Sequence, residues 1–162
     1  MKQSAIFIFL LLSAIALPAQ DAKTAARYQA SCDAGYAPDC LALADLYASG
    51  KGVPQSTAQG SALVQKAIDL DMKACQQDNK SDACIQAGDL YAKYANDQVA
   101  ANLLYRKACN LDNATGCNKV AVLYENGTGI PKDNATAANY YSRACKLGNK
   151  PACAKAQALA PK

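Results

Sequence analysis

The eight cysteines of this chain have a spacing that limits the chemistry open to them. They form four close pairs, and the first members of successive pairs lie 43, 34 and 36 residues apart. Thiols can bind zinc, exchange electrons or form disulfides. Zinc pairs usually have the shorter C-x₂-C spacing, and no redox C-x-x-C motif is present, so this even count predicts four disulfides. The pairs are Cys32/Cys40, Cys75/Cys84, Cys109/Cys117 and Cys145/Cys153.

The first 19 residues have the composition of a secretory signal peptide. Lys2 supplies a positive charge, residues 5–17 are apolar, and small residues follow up to Ala19. The apolar run is too short and wrongly flanked for a stable transmembrane helix. We therefore predict a signal peptide at 1–19 and a periplasmic or secreted mature chain at 20–162. No membrane insertion is expected after cleavage, and disulfides persist in such an oxidising compartment.

The composition argues against several classes of function. The net charge of +4 comes from scattered basic residues without a run of Lys or Arg, so nucleic-acid binding is not indicated. The chain has no histidine, which excludes Ser-His-Asp and Cys-His triads. We therefore predict no catalytic residue, no metal site and no cofactor.

A helical pattern repeats between the cysteine pairs. In three repeats the second cysteine is followed six residues later by Leu-Tyr, and the nearby apolar residues recur with the 3.6-residue period of an α-helix. Gly-x-Gly segments ending in Pro, at 50–54 and 127–131, predict where first helices end. The Leu-Tyr pairs are Leu46-Tyr47, Leu90-Tyr91 and Leu123-Tyr124. The predicted second helices are Thr57 to Cys75, Gln98 to Cys109 and Ala135 to Cys145, with Gln59, Asn102 and Asn139 facing outward.

Each cysteine pair falls at a junction between these helices. The first cysteine closes a second helix, and the other opens the next first helix after a turn-rich segment. A tight turn brings the two helix ends together, so bonding within each pair is geometrically reasonable. Eight cysteines allow 105 connectivities, and the repeat period favours the local one.

Two motifs carry a family resemblance. The pattern C-x-x-x-A-x-L-Y-x-x-G-x-G-(V/I)-P, followed by Y-Y-x-x-A-C-x-L-G, resembles Sel-1-like repeats. The cysteine spacing narrows it to the Helicobacter cysteine-rich protein group, over residues 24–160. The resemblance implies an all-α fold, a right-handed α/α solenoid of tetratricopeptide-like helix pairs with three full repeats and partial flanking helices. The chain departs from the pattern in its central repeat, which lacks the Gly-x-Gly loop, and in its extended helix ending at Cys75.

The resemblance also implies candidate activities. Members of the cysteine-rich group are described as penicillin-binding proteins or weak β-lactamases, which makes cell-wall fragments a possible ligand class. The chain lacks the S-x-x-K, S-D-N and K-T-G elements that a serine β-lactamase uses. A third hypothesis is a periplasmic immunity protein against a secreted antibacterial toxin, a use known for some Sel-1-like proteins.

Our main hypothesis is a non-enzymatic module that binds a protein or peptide partner. Repeat solenoids present extended concave surfaces, and in tetratricopeptide-like arrays the first helices line that groove. Asp45 and Asp89 occupy equivalent positions there, although a merely solvated polar face is the alternative explanation, and the more frequent one for surface charges. Leu41 and Ile85 are apolar positions that either anchor a ligand or pack between helices. The polar groove candidates are Asp45, Asp89, Lys93, Asn118, Glu125 and Asn126.

Overall fold

The computed structural model describes residues 19–160, and this part of the chain is helical without a β-strand. The predicted signal peptide lies almost wholly outside the described residues. No helix between residues 19 and 160 is long and apolar enough to cross a membrane. The helices are α1 (Ala19–Asp33), α2 (Ala37–Ser49), α3 (Thr57–Gln77), α4 (Ser81–Leu90), α5 (Gln98–Asn110), α6 (Ala114–Asn126), α7 (Asn134–Lys146) and α8 (Lys150–Leu159).

Consecutive helices pack against each other along the chain, which is the contact pattern of an α/α solenoid. The three repeats are α2 with α3, α4 with α5, and α6 with α7, while α1 and α8 flank them. The predicted repeat fold is thereby confirmed. The second helices begin within one residue of their predicted starts and end one or two residues beyond the cysteine.

Left-handed glycines end two of the first helices, as predicted. Gly50 and Gly127 cap α2 and α6 with φ values of 70° and 73°, which glycine adopts without the steric cost of a Cβ. In the same loops, Gly52 and Gly129 also have positive φ. A Cβ at Gly52 would collide with the backbone of Asp21 in α1, and one at Gly129 would collide with Gln98 in α5. These loops therefore lie directly on the first turns of the preceding helix.

The central repeat replaces this loop with a π-helical turn. Helix α4 continues into the turn at Tyr91–Ala95, which ends at Asn96 with a φ of 51°. Asp97 then caps α5 by accepting a hydrogen bond from the Ala100 amide. In the other two repeats the glycine loop packs on the second helix that precedes the repeat. The shorter connection of the central repeat has no such loop to pack on α3.

Small residues set the distance between the helices. Gly88 on α4 faces Tyr105 on α5 so closely that an added Cβ would lie 2.5 Å from the Tyr105 ring. An added Cβ at Gly116 on α6 would lie 2.7 Å from the Ala108 methyl group. Alanine is the most frequent residue among the other buried positions. Because alanine buries little apolar area, each interface contributes modestly to stability through the hydrophobic effect.

Four disulfides join the helix ends in the predicted local pattern. The paired cysteines have Cα–Cα distances of 4.5–4.8 Å, and no cysteine in the described part of the chain is free. The cysteines of the first three pairs are fully buried, whereas Cys145 and Cys153 are partly exposed. The disulfides therefore form part of the core at three junctions and lie nearer the surface at the last one.

The extra length of α3 displaces α4 along the stack. The N-cap and the closing cysteine lie 19 positions apart in α3 (Ser56 and Cys75), whereas they lie 12 positions apart in α5 and in α7. The additional seven residues correspond to about 10 Å of helix. Cys40 at the start of α2 lies in the same core cluster as Ile68 of α3. Cys84 at the start of α4 is bonded to Cys75, which lies two turns further along α3. We call this offset between α2 and α4 the α3 step.

Removing one buried disulfide tests its contribution to the fold. Replacing Cys109 and Cys117 together by Ala should lower the free energy of unfolding by about 2.6 kcal/mol, the chain-entropy value for a nine-residue loop. The same change at Cys145 and Cys153 should cost less, because α8 can fray while the other repeats stay folded. Urea unfolding followed by circular dichroism measures both, and equal losses would contradict the difference.

Candidate functional site

A tyrosine, a carboxylate and a lysine from three consecutive helices meet on the first-helix side of the central repeat. The Tyr105 hydroxyl on α5 donates a 2.6 Å hydrogen bond to Asp89 on α4. The Lys119 ammonium on α6 lies 2.7 Å from the same carboxylate oxygen and 5.2 Å from the Tyr105 ring centroid. We call this arrangement a clamp, because it ties one repeat to the first helix of the next.

The following repeat contains a second clamp with the same chemistry. The Tyr141 hydroxyl donates a short hydrogen bond to Glu125, and the Lys155 ammonium lies 2.7 Å from the other carboxylate oxygen. Each of its three members lies 36 residues after its counterpart in the first clamp. Glu125 follows its Leu-Tyr pair whereas Asp89 precedes its own, so the two carboxylates reach the tyrosine from positions about one helical turn apart.

Three of the clamp residues, Glu125, Tyr105 and Tyr141, have shifted pKa values. The pKa of Glu125 is held below its usual value, first by the hydrogen bond from Lys155 and then by the one from Tyr141. Burial raises the pKa of both tyrosine hydroxyls, and the adjacent carboxylates raise it further. These shifts keep the carboxylate charged and the phenols neutral near neutral pH, which is the state that maintains the clamp.

The first repeat has the carboxylate without the other clamp members. Asp45 is the equivalent of Asp89, counted from the cysteine, and is exposed without a side-chain hydrogen bond or ion pair within residues 19–160. Counted from the helix N-caps, Val64 stands where α5 and α7 have tyrosine. Gln86 stands where the following first helices have lysine, two residues after the cysteine.

A cavity of about 520 Å³ lies beside Asp45. Its walls include Ala44 and Val64, which occupy the positions that hold Gly88 and Tyr105 in the central repeat. Thr57 and Ser61 from the first turns of α3 line it as well, together with Tyr94 from the π-helical turn. The cavity therefore lies where a clamp tyrosine and a covering glycine loop are both missing. We call it the Asp45 cavity.

Lys93 is the charged residue of the π-helical turn Tyr91–Ala95. Its ammonium lies 4.7 Å from the Tyr94 ring centroid, a cation–π distance. Tyr94 raises the pKa of Lys93, and the Asp45 carboxylate adds a smaller effect of the same sign. Asp45 thus lines the cavity, and Lys93 directly precedes another lining residue, Tyr94.

The remaining sequence candidates are dispersed. Asn118 is half-buried on α6, and Asn126 is exposed at its end, without a side-chain hydrogen bond among the described residues. Ile85 is buried and Leu41 is partly buried, so both pack between helices. Asn102 does not face outward as predicted, because it is only 5% exposed.

The clamp lysines and the Asp45 cavity were missed at the sequence level. Their signal is the 36-residue offset of the tyrosine and lysine positions, which equals the spacing of the cysteines beside them, Cys109 to Cys145 and Cys117 to Cys153. With every described cysteine sulfur bonded to another sulfur, no thiolate is available as a nucleophile or zinc ligand. The side chains on this surface offer hydrogen-bonding and ion-pairing groups.

The Sel1 repeat model matches the chain at residues 37–72, 81–113 and 114–149, which coincide with the three helix pairs. This match covers more than half of the chain. The chain belongs to the Sel1 repeat family, and the resemblance seen in its motifs is confirmed.

Solved structures share this fold. A protective antigen of uropathogenic Escherichia coli with an SLR fold, c5321, has 27% identity and a TM-score of 0.56 over 86% of this chain. The chain spans only 29% of that antigen's length. A Sel1 repeat protein from Oxalobacter formigenes has 21% identity and a TM-score of 0.53, covering 82% of this chain and 96% of its own.

Cysteine rich protein B of Helicobacter pylori is similar at 27% identity, covering 83% of this chain and 94% of its own, with a TM-score of 0.47. No curated protein matches the chain. The comparisons thus establish the repeat family and its helical architecture.

Removing one clamp hydroxyl tests whether the clamp stabilises the stack. Tyr105→Phe should lower the free energy of unfolding by about 1–2 kcal/mol, because the ring stays packed while the hydrogen bond to a charged group is lost. Tyr91→Phe is the matched control, since the Tyr91 hydroxyl makes no hydrogen bond within the described residues. Equal effects of the two substitutions in urea unfolding would show that the hydroxyl bond is not what matters.

The lowered pKa of Glu125 predicts a pH-dependent contribution to stability. The carboxylate stabilises the fold above its unfolded-state pKa of about 4.5, and that contribution is lost as the pH falls through the lower folded-state pKa. Glu125→Gln should therefore be less stable than the unaltered protein by about 1 kcal/mol at pH 7 and equally stable in strong acid. Urea unfolding at a series of pH values measures the difference, and a gap that persists at pH 2 would contradict it.

Proposed function

We propose that this chain is a non-enzymatic interaction module that binds a segment of a protein partner along its first-helix groove. The observation that carries the proposal is the Asp45 cavity, where a carboxylate used as a clamp in two other repeats has no side-chain partner in the described chain. Sel1 repeats are generally protein-interaction units, which supports the same assignment.

The cavity indicates the chemistry of the segment that would fill it. In the central repeat, the space next to Gly88 and Asp89 holds a tyrosine ring whose hydroxyl donates to the carboxylate. The equivalent space next to Ala44 and Asp45 is open. A tyrosine side chain from the partner can occupy it with the same two interactions, ring burial and a hydrogen bond to Asp45.

Charges around the cavity favour a segment with one acidic group near its tyrosine. Lys93 lies in the π-helical turn after α4, next to the lining residue Tyr94, and its side chain is exposed. A partner carboxylate reaching Lys93 would complete an ion pair, while Asp45 receives the tyrosine hydroxyl. Two opposite charges on adjacent helices also fix the direction of the bound segment.

The proposed setting is the periplasm or the extracellular space. A chain of residues 20–162 released from a signal peptide at 1–19 would fold where its four disulfides can form and persist. Intracellular thiol systems would keep the eight cysteines reduced. The three junctions with fully buried cysteines would then lack the disulfide bonds that are part of the core.

Filling the cavity from within tests the proposal. Val64→Tyr places on α3 the ring that α5 and α7 already carry, within reach of Asp45. A partner captured from a secreted or periplasmic extract and then purified should bind this variant at least tenfold more weakly in calorimetry, since its own tyrosine is displaced. Asp45→Asn should weaken binding as well, by a factor of about ten, through loss of the charged acceptor.

Gln59→Ala is the matched control, because Gln59 is exposed on α3 outside the cavity. It should leave the affinity unchanged, and circular dichroism should show equal helicity for all variants. A partner that binds the Val64→Tyr and Asp45→Asn proteins as tightly as the unaltered one would refute the cavity as its binding site.

A further inference from the structure

A second cavity, of about 610 Å³, lies on the opposite side of the α3 step. It is bordered by the start of α2 at Ala37 and Pro38, by α3 at Leu70, and by the start of α4 at Ser81 and Ala83. Asp71 of α3 also lines it. We call it the Asp71 cavity, and neither the repeat pattern nor the proposed groove uses it.

Asp71 is an unusual residue for such a position. It is only 6% exposed, and its carboxylate makes no hydrogen bond or ion pair with residues 19–160. A buried carboxylate without a counterion is costly, because desolvation favours the neutral acid. Burial accordingly raises the pKa of Asp71 to about 6. The protein thus retains a destabilising group in the wall of an open cavity.

The repeat pattern shows that this group is specific to the first junction. Counted back from the closing cysteine, the same position is Tyr105 in α5 and Tyr141 in α7, and both tyrosines are clamp residues. In α3 the step carries this position away from α2 and Asp45, so a tyrosine there would have no carboxylate to bind. An aspartate at this place has no role in the clamps.

The other charged residues at the cavity already have partners. Lys80 lies 3.6 Å from Asp78, and Asp82 accepts a 2.7 Å hydrogen bond from Asn113. Ser81 and Gln86 add a hydroxyl and a carboxamide to the wall. The N-terminal end of a helix such as α4 attracts negative charge. The pKa of Asp71 is nevertheless raised, so this attraction does not offset the cost of burying its carboxylate.

We propose that the Asp71 cavity binds a primary ammonium group, with the buried Asp71 carboxylate as its counterion. An ammonium group has three donors and no acceptor, which suits a cavity lined by one carboxylate together with Ser81 and Gln86. The aliphatic stem of such a ligand would lie against Leu70 and Pro38. A lysine side chain of a protein and a small free alkylamine share this chemistry.

The binding should depend on pH with a defined sign. An ammonium group binds the ionised carboxylate, so the fraction of competent protein falls as Asp71 is protonated. With a pKa of about 6, the apparent affinity should fall by about tenfold between pH 7.5 and pH 5. Bound amine should in turn lower the pKa of Asp71, which carbon NMR of the labelled carboxyl measures directly.

Two probes distinguish the source of the ammonium group. n-Butylamine presents the group on a plain alkyl stem, and Nα-acetyl-lysine methylamide presents it on a peptide unit. Both should shift the Asp71 carboxyl resonance at pH 7.5, and tighter binding of the blocked lysine would assign the site to a protein side chain. Equal binding would assign it to a small amine. Nα-acetyl-norleucine methylamide, which lacks the charge, should produce no shift.

Two substitutions keep the proposal falsifiable. Asp71→Asn removes the charge at nearly constant volume and should abolish amine binding, while unfolding becomes no easier because a desolvated charge is gone. Asp69→Asn is the matched control on the same helix, since Asp69 is exposed and outside the cavity. Amine binding that survives in Asp71→Asn, or fails in the unaltered protein, would overturn the proposal.

Lys80→Met separates this site from an internal ion pair. If an external amine is the ligand, removing the rim lysine should strengthen binding, because a like charge is lost, and should leave the pKa of Asp71 near 6. A rise in that pKa, with amine binding seen only in the variant, would mean that Lys80 itself neutralises Asp71 in solution. That result would overturn the proposal.

Discussion

Small residues between helices, held in place by a disulfide at each junction from a second helix to the next first helix, are the constraint on which this fold depends. Alanine and glycine faces let the helices approach closely, as at Gly88 and Tyr105, yet they bury little apolar area. The disulfides reduce the conformational entropy of the unfolded chain instead. The disulfides also fix which part of one helix faces the next helix. The clamp residues therefore lie opposite one another at positions that the cysteine pairs determine.

The sequence was sufficient to predict the helices, but it was not sufficient to predict the side-chain contacts between them. Cysteine spacing, Leu-Tyr pairs and glycine loops are local signals, and they placed the three second helices to within one or two residues. Asp89, Tyr105 and Lys119 come from three helices, so their meeting depends on packing distances that no local pattern records. Asn102 was misplaced for the same reason, because polarity alone does not say which face of α5 a neighbour covers.

Two departures from the repeat pattern turn out to be parts of one feature. The seven extra residues of α3 move α4 along the stack, and the central repeat then replaces the glycine loop with a π-helical turn. The start of α3 is left uncovered on one side of the step, which opens the Asp45 cavity. The other side exposes the middle of α3 beside the beginning of α4, which opens the Asp71 cavity. The longer α3 and the π-helical turn together therefore border both concave sites.

The placement of the disulfides also determines what happens when the backbone is cut. Each connection from a second helix to the next first helix lies inside a loop closed by a disulfide, and residues 76–80 at the middle junction are exposed. A protease that cleaves there leaves the two halves covalently joined, with the helices still packed on both sides. The loops within repeats, such as residues 51–56, have no such closure. A chain cut at any between-repeat turn would thus remain one covalent molecule. A cut within a repeat would leave fragments that no disulfide joins across the cut.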